Sequence, residues 1–167
     1  MARALALAER GIGRTSPNPS VGAVLVHGDT VVGEGRTAPA GGPHPEAVAP
    51  APAGAAAGGA TAYVTLEPCA HHGRTQPCAD ALIAAGVSRV VYALRDPNPI
   101  VDGAGAARLL VAGLDVVEGV GEDAARTLYA PFAHWITTGR PLVTAKWAMP
   151  LDGRIGTRPG DSRWISG

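Results

Sequence analysis

The chain reads as an α/β domain in which a mixed five-stranded sheet is covered by helices. Three observations predict this. Short runs rich in Val, Leu, Ile, Thr and Ala lie at residues 21–27, 30–34, 61–66, 88–94 and 114–118, and β-branched enrichment in runs of that length marks strands. Stretches with apolar residues at helical spacing alternate with the later runs, as helical crossovers would. The first two runs are separated only by Gly28-Asp29, a hairpin signal. The sheet should therefore begin antiparallel and continue through helical crossovers.

Each element follows in order. Residues 2–11 carry Leu5 and Ala8 near one helical face and end in glycines, which predicts a first helix. The turn-rich run Thr15-Ser16-Pro17-Asn18-Pro19-Ser20 leads into the hairpin. The third strand, 61–66, delivers Glu67-Pro68-Cys69 at its end. Residues 76–85 form a helix closed by Gly86, and 88–94 a buried strand, followed by the loop Asp96-Pro97-Asn98-Pro99. A helix over 105–112, a short strand over 114–118 and a longer helix over 122–138 complete the pattern, the last interrupted or shifted at Pro131.

Composition bounds the function. A chain of 167 residues is one domain, with a short appendage at most, and long enough to bury a core. Its 14 basic and 14 acidic residues cancel, so no broad field draws it to nucleic acid or to an acidic membrane, and any phosphate must be held locally. No apolar run approaches a membrane span. The opening Ala/Leu stretch is interrupted by Glu9 and Arg10 and has no clear cleavage site. These features predict a soluble, cytoplasmic protein. Residues 49–60 are all Ala, Gly or Pro and approach low complexity.

The chemistry-bearing residues are His44-Pro45-Glu46, Pro68-Cys69 and Pro77-Cys78. A lone His beside prolines can be a loop residue, and two cysteines can pair or sit buried as small apolar groups. The two cysteines are the chain's only ones, each follows a proline, and a cytosolic thiol stays reduced. Zinc is therefore the favoured reading. One imidazole and two thiolates supply three ligands and leave the fourth position of a catalytic zinc for water. Pro45 suits the first position of a helix, and Cys78 falls in the first turn of another, where the dipole favours a thiolate. Zinc makes water nucleophilic near neutral pH, and Glu46 would carry its proton to a leaving amine. The reaction that fits is hydrolytic deamination of an amidine carbon in a pyrimidine-type ring. A structural zinc completed by His71 or His72 stays open as the alternative.

His-x-Glu followed by Pro-Cys-x-x-Cys is the signature of zinc nucleobase deaminases. Here residues 70–77 separate the cysteines, six more than the signature has. Four runs carry a closer likeness: Pro17-Asn18-Pro19-Ser20-Val21-Gly22-Ala23-Val24, Val32-Gly33-Glu34-Gly35, Gly41-Gly42-Pro43-His44-Pro45-Glu46 and Tyr63-Val64-Thr65-Leu66-Glu67-Pro68-Cys69. With them go the inter-cysteine loop His71-His72-Gly73-Arg74-Thr75-Gln76-Pro77-Cys78 and Asp96-Pro97-Asn98-Pro99 with Val101, Gly103 and Gly105. Together they resemble the deaminase domain of the bifunctional riboflavin biosynthesis deaminase/reductase, in the cytidine deaminase-like superfamily.

That resemblance implies a three-layer α-β-α sandwich over residues 1–140, one Zn²⁺ per chain held by His44, Cys69 and Cys78, and Glu46 as the proton shuttle. It implies a small phosphorylated substrate, 2,5-diamino-6-ribosylamino-4(3H)-pyrimidinone 5′-phosphate, and a homo-oligomer, dimer or tetramer. By position, Asn18 would face the pyrimidine ring, while His71, Arg74, Asp96 and Asn98 would line the ribosyl-phosphate side. The plain alternative for Arg74 is a solvated loop charge, and for Asn18, Asp96 and Asn98 it is turn chemistry. The chain departs from the family at three places. Pro45 stands where relatives carry Ala, Pro50 and Pro52 fall where the zinc helix should continue, and Thr37 stands where many relatives have His.

Toward the C-terminus, Thr138-Gly139-Arg140-Pro141-Leu142-Val143-Thr144-Ala145-Lys146, Leu151-Asp152-Gly153-Arg154-Ile155 and Gly160-Asp161-Ser162-Arg163-Trp164-Ile165-Ser166 are similar to the opening of the NADPH-dependent reductase module of that enzyme. Residues 141–167 are too few for a nucleotide-binding sheet and show no Gly-rich dinucleotide loop. They are expected to be an appended strand or disordered, with no reductase activity and no NADPH, and a separate reductase chain stays open as a partner. Competing functions are a zinc deaminase for a guanine- or cytosine-type base and a decayed zinc-binding fragment. A nucleic-acid deaminase is disfavoured by the neutral charge.

Overall fold

The computed structural model describes residues 1–38, 53–70, 77–99, 101–149, 151–156, 158 and 160. Helix α1 (Ala2–Glu9) precedes strands β1 (Gly22–His27) and β2 (Thr30–Arg36). A 3₁₀ turn at Gly54–Ala57 follows, within the Ala/Gly/Pro stretch, and then β3 (Thr61–Val64). Helix α2 (Cys78–Ala84), β4 (Arg89–Tyr92), α3 (Ala104–Val111), β5 (Asp115–Glu118) and α4 (Glu122–Thr138) complete the domain.

The strands form one sheet in the order β2-β1-β3-β4-β5. β1 is antiparallel to both β2 and β3, while β3, β4 and β5 run parallel, so the sheet is mixed as the hairpin and crossovers predict. Gly28 turns the hairpin at φ +59°, a conformation that costs a residue with a Cβ. Four of the predicted strands are somewhat longer than the observed ones, whereas β2 runs two residues further than expected, through Gly35 and Arg36. Residues 65–67 leave the ladder yet stay tied to the sheet, Thr65 donating to the Gly22 carbonyl at 3.1 Å and Glu67 to that of Leu94 at 2.9 Å.

Register sorts the side chains between two faces. Ala23 and Leu25 pair with Val64 and Ala62, which pair in turn with Tyr92 and Val90. These residues share one contiguous core with Leu82 of α2 and Leu109 of α3. Gly22 points to the opposite face, against α1. A Cβ there would lie 2.0 Å from the Ala4 carbonyl oxygen, so the helix can approach the sheet only because position 22 is glycine. α1 also touches α4, and α2 packs on α3. The result is a three-layer α-β-α sandwich.

Helix α4 differs from expectation. It runs without a break through Pro131, from Gly121 at φ +80° to Gly139 at φ +68°. Acidic Glu122 and Asp123 occupy its first turn, where the helix dipole favours them. Buried Ala125 and Tyr129 anchor it before the proline, which holds the helix against the lost hydrogen bond. Tyr129 is tied to the sheet edge: Thr65 Oγ1 lies 2.5 Å from its hydroxyl, which donates to the Ser20 carbonyl at 3.0 Å. Residues 140–149 have no regular secondary structure. Among the described residues no helix is long and apolar enough to cross a membrane.

Candidate active site

The topology brings the start of β1 and the ends of β2, β3 and β4 to one edge of the sheet. Ligand sites in such sheets gather beyond the carboxyl ends of the parallel strands. Asn18 precedes β1, Thr37 follows β2, Cys69 follows β3, and Asp96 and Asn98 follow β4. All five line one cleft of about 240 Å³, together with Cys78 at the start of α2. His44, Glu46, His71 and Arg74 lie outside the described residues, as do Pro45, His72, Pro50 and Pro52.

The two sulfurs come from different elements. Cys69 sits on the loop after β3, and Cys78 is the first residue of α2 behind Pro77, which holds an extended conformation at φ −53°, ψ 138°. Their Sγ atoms are 3.1 Å apart and form no disulfide. The Cys78 N–H lies 3.4 Å from Cys69 Sγ, and the Ala79 N–H donates to the Cys69 carbonyl at 3.1 Å. The start of α2 is thus hydrogen-bonded onto the cysteine before it. Zinc–sulfur bonds of about 2.3 Å at a tetrahedral angle set two thiolates about 3.8 Å apart, so opening this pair by less than one ångström would accommodate the ion. The donor pair fits zinc.

The rest of the cleft has a polar wall and an apolar one. Asp96 Oδ1 accepts the Asn98 N–H at 2.9 Å, which fixes the loop after β4. Asn18 is set by the turn around it, its N–H donating to the Thr15 carbonyl at 2.9 Å and its own carbonyl accepting from Thr15 Oγ1 at 2.9 Å. The turn chemistry and the cleft-lining role therefore coincide at these positions. Thr37 is buried, and its hydroxyl accepts the Val21 N–H at 2.8 Å, so this side chain serves the entry into β1. Phe132, Trp135 and Ile136, one stripe of α4, supply the apolar wall.

Several of these residues carry no signal that sequence reasoning used. The stripe at 132, 135 and 136 has the spacing of an ordinary core-facing helix. Glu67, also lining the cleft, stands beside the Pro-Cys pair and reads as a loop charge, yet it is only 3% exposed. On β4, burial and the hydrogen bond that Tyr92 donates to Glu118 at 2.6 Å push the Tyr92 phenol well above its ordinary range.

Residues 1–94 match the family model of the cytidine and deoxycytidylate deaminase zinc-binding region. The chain belongs to that family. Within this zinc-binding deaminase family it is 53% identical over 166 residues to riboflavin biosynthesis protein RibD of Escherichia coli, covering 99% of this chain and 45% of the relative. To RibD of Aquifex aeolicus it is 51% identical over 166 residues, covering 99% and 47%. The crystal structure of a diaminohydroxyphosphoribosylaminopyrimidine deaminase/5-amino-6-(5-phosphoribosylamino)uracil reductase from Thermotoga maritima superposes with a TM-score of 0.92 at 44% identity, over 100% of this chain and 48% of that one. The deaminase-family chain spans about half the length of the relatives it matches. The matched region contains both cysteines but ends before α4, which supplies the apolar wall.

Proposed function

We propose that this chain deaminates 2,5-diamino-6-ribosylamino-4(3H)-pyrimidinone 5′-phosphate hydrolytically, giving 5-amino-6-ribosylaminouracil 5′-phosphate and ammonia in riboflavin biosynthesis. One observation carries the reading: Cys69 and Cys78 bring their sulfurs to 3.1 Å at the cleft that Asn18, Asp96 and Asn98 also line. Identity of about half to RibD proteins over nearly the whole chain supports the choice of substrate.

His44, Cys69 and Cys78 would hold one Zn²⁺, and a cytoplasmic setting would keep the thiols reduced. When bound, the metal supplies the Lewis acidity that makes water nucleophilic near neutral pH. The chain's own residues do the rest. Glu46 takes the proton of the attacking water and returns it to the departing amine as the C–O bond forms and the C–N bond breaks, general acid–base work worth about 10² to 10⁴ in rate. Asn18 meets the polar edge of the ring. His71, Arg74, Asp96 and Asn98 take the ribosyl phosphate, the Arg74 guanidinium being suited to bidentate contact with phosphate oxygens. The wall of Phe132, Trp135 and Ile136 keeps water from the ring. Residues 141–167 would begin a reductase-like module.

The test is ammonia release from the diaminopyrimidine phosphate, assayed beside guanine and cytidine. Glu46→Ala should keep zinc at the wild-type stoichiometry and lose turnover by about 10² or more. Normal turnover by that variant would remove Glu46 from its role, and preference for guanine or cytidine would overturn the substrate assignment.

A further inference from the structure

Glu67 is the most fully used buried acid in the described structure, and the chemistry above gives it no task. Its Oε1 accepts the N–H groups of Gly105 and Ala106, both at 3.1 Å, and its Oε2 accepts those of Gly103 at 3.1 Å and Asp96 at 3.3 Å. The first amides of a helix have no intrahelical acceptor, and α3 has no side-chain cap of its own. Glu67 supplies that cap from far earlier in the chain. Gly103 reaches it through a left-handed turn at φ +85°. The backbone at Gly105 lies so close that a Cβ there would stand 1.7 Å from the Pro68 carbonyl oxygen.

These contacts join two segments with different duties. On one side is Pro68-Cys69, the segment carrying a sulfur. On the other is the loop after β4, where Asp96 in turn fixes the Asn98 N–H. We propose that Glu67 is a positioning residue whose carboxylate fastens the metal loop to the polar wall of the cleft, so that Cys69 and the Asp96/Asn98 wall move as one body. Its kinetic meaning rests on the deaminase reading, whereas its mechanical meaning does not. Both oxygens must accept, because four N–H groups converge on them. Glutamine offers one acceptor and turns an amide NH₂ toward two donors, leaving them unsatisfied.

The first arm of the test is native-state hydrogen exchange on the unmutated full chain. The amides of Asp96, Gly103, Gly105 and Ala106 should open together, with one common protection factor. Separate exchange, with Asp96 and Gly103 opening independently of Gly105 and Ala106, overturns the proposal whether or not the chain is a deaminase. The second arm is Glu67→Gln. Protection at all four amides should fall about tenfold or more, the scale of an unsatisfied buried donor, with zinc content retained. KM for the diaminopyrimidine phosphate should rise about tenfold while kcat stays within about threefold, with Glu67→Asp intermediate. A lowered melting temperature with unchanged KM would make Glu67 a helix cap only and overturn the positioning role. If wild-type chain releases no ammonia, the substrate reading fails, and the exchange arm still decides this one. Should Glu67→Gln not fold, wild-type exchange again decides.

Discussion

Gly105→Ala sets two ordinary rules against each other. Alanine is preferred to glycine inside a helix by about 1 kcal/mol, so propensity alone predicts a more stable protein. The structure predicts the reverse. The new Cβ would stand 1.7 Å from the Pro68 carbonyl oxygen, 2.9 Å from its carbon and 3.3 Å from Glu67 Oε1. Ordinary contact begins near 3.4 Å, so α3 and the Pro68 peptide must separate by well over an ångström. Overpacking of this kind costs about 1–3 kcal/mol, and stretching the two bonds at Glu67 Oε1 adds about 1–3 kcal/mol for buried donors left short of a partner. After the helix gain is subtracted, the net loss is about 1–5 kcal/mol. At about 2–4 °C per kcal/mol for a domain of this size, the melting temperature should fall by roughly 2–20 °C. Pro68 is bonded to Cys69, so zinc affinity should fall as well, by about tenfold or more, the scale found when a ligand loses its support. Thermal unfolding by circular dichroism and competition with a chromogenic chelator read the two quantities. A variant that melts above wild type and binds zinc equally well would refute the close approach of α3 to the metal loop.

Three further outcomes follow from the same geometry. Cys78→Ser should weaken zinc by more than about 100-fold, beyond the loss typical of an outer-shell partner, as read by metal analysis after dialysis. Tyr129→Phe removes the hydroxyl between Thr65 and the Ser20 carbonyl and should cost about 1–3 kcal/mol in urea unfolding; a loss below about 0.5 kcal/mol would show that this buried link contributes little. Burial and Glu118 raise the Tyr92 phenol in the folded chain, so its stabilisation is complete below about pH 10, the unfolded value. It is lost as pH climbs toward the folded value, by about 1.4 kcal/mol per pH unit. The stability gap between wild type and Tyr92→Phe should therefore narrow above pH 10, and a constant gap would contradict the raised phenol.

Much of the architecture was readable from short-range pattern. The Gly28-Asp29 turn, the separation of later strands by helical stretches and the bounds of α4 all depend on neighbours in sequence. The end of β3 is not legible because Thr65 and Leu66 keep β-like composition after leaving the ladder, and that of β2 is not because Gly35 and Arg36 lack such composition yet stay paired. Pro131 was expected to disturb α4 because a proline removes one hydrogen bond, whereas tertiary anchoring by Ala125 and Tyr129 holds the helix. In the cleft, Asn18, Asp96 and Asn98 were singled out by likeness of motif, since the residues alone fit a turn equally well. Glu67 and the stripe Phe132, Trp135 and Ile136 were not singled out. Their significance comes from partners tens of residues away, and nothing local distinguishes a capping carboxylate from a solvated one, or a cleft wall from a core stripe.

The placement of that stripe has a consequence for biogenesis. The cysteines are near neighbours in the chain and can find each other as soon as β3 and α2 are made. The apolar wall belongs to α4, which follows both cysteines in the chain. Domains assemble from the N-terminus as they leave the ribosome, so the thiols can gather while the cleft is still open on the side that α4 will cover. The two sulfurs can thus come together before the cleft closes, and a chain arrested before α4 would retain its sulfurs and polar wall while lacking the apolar one.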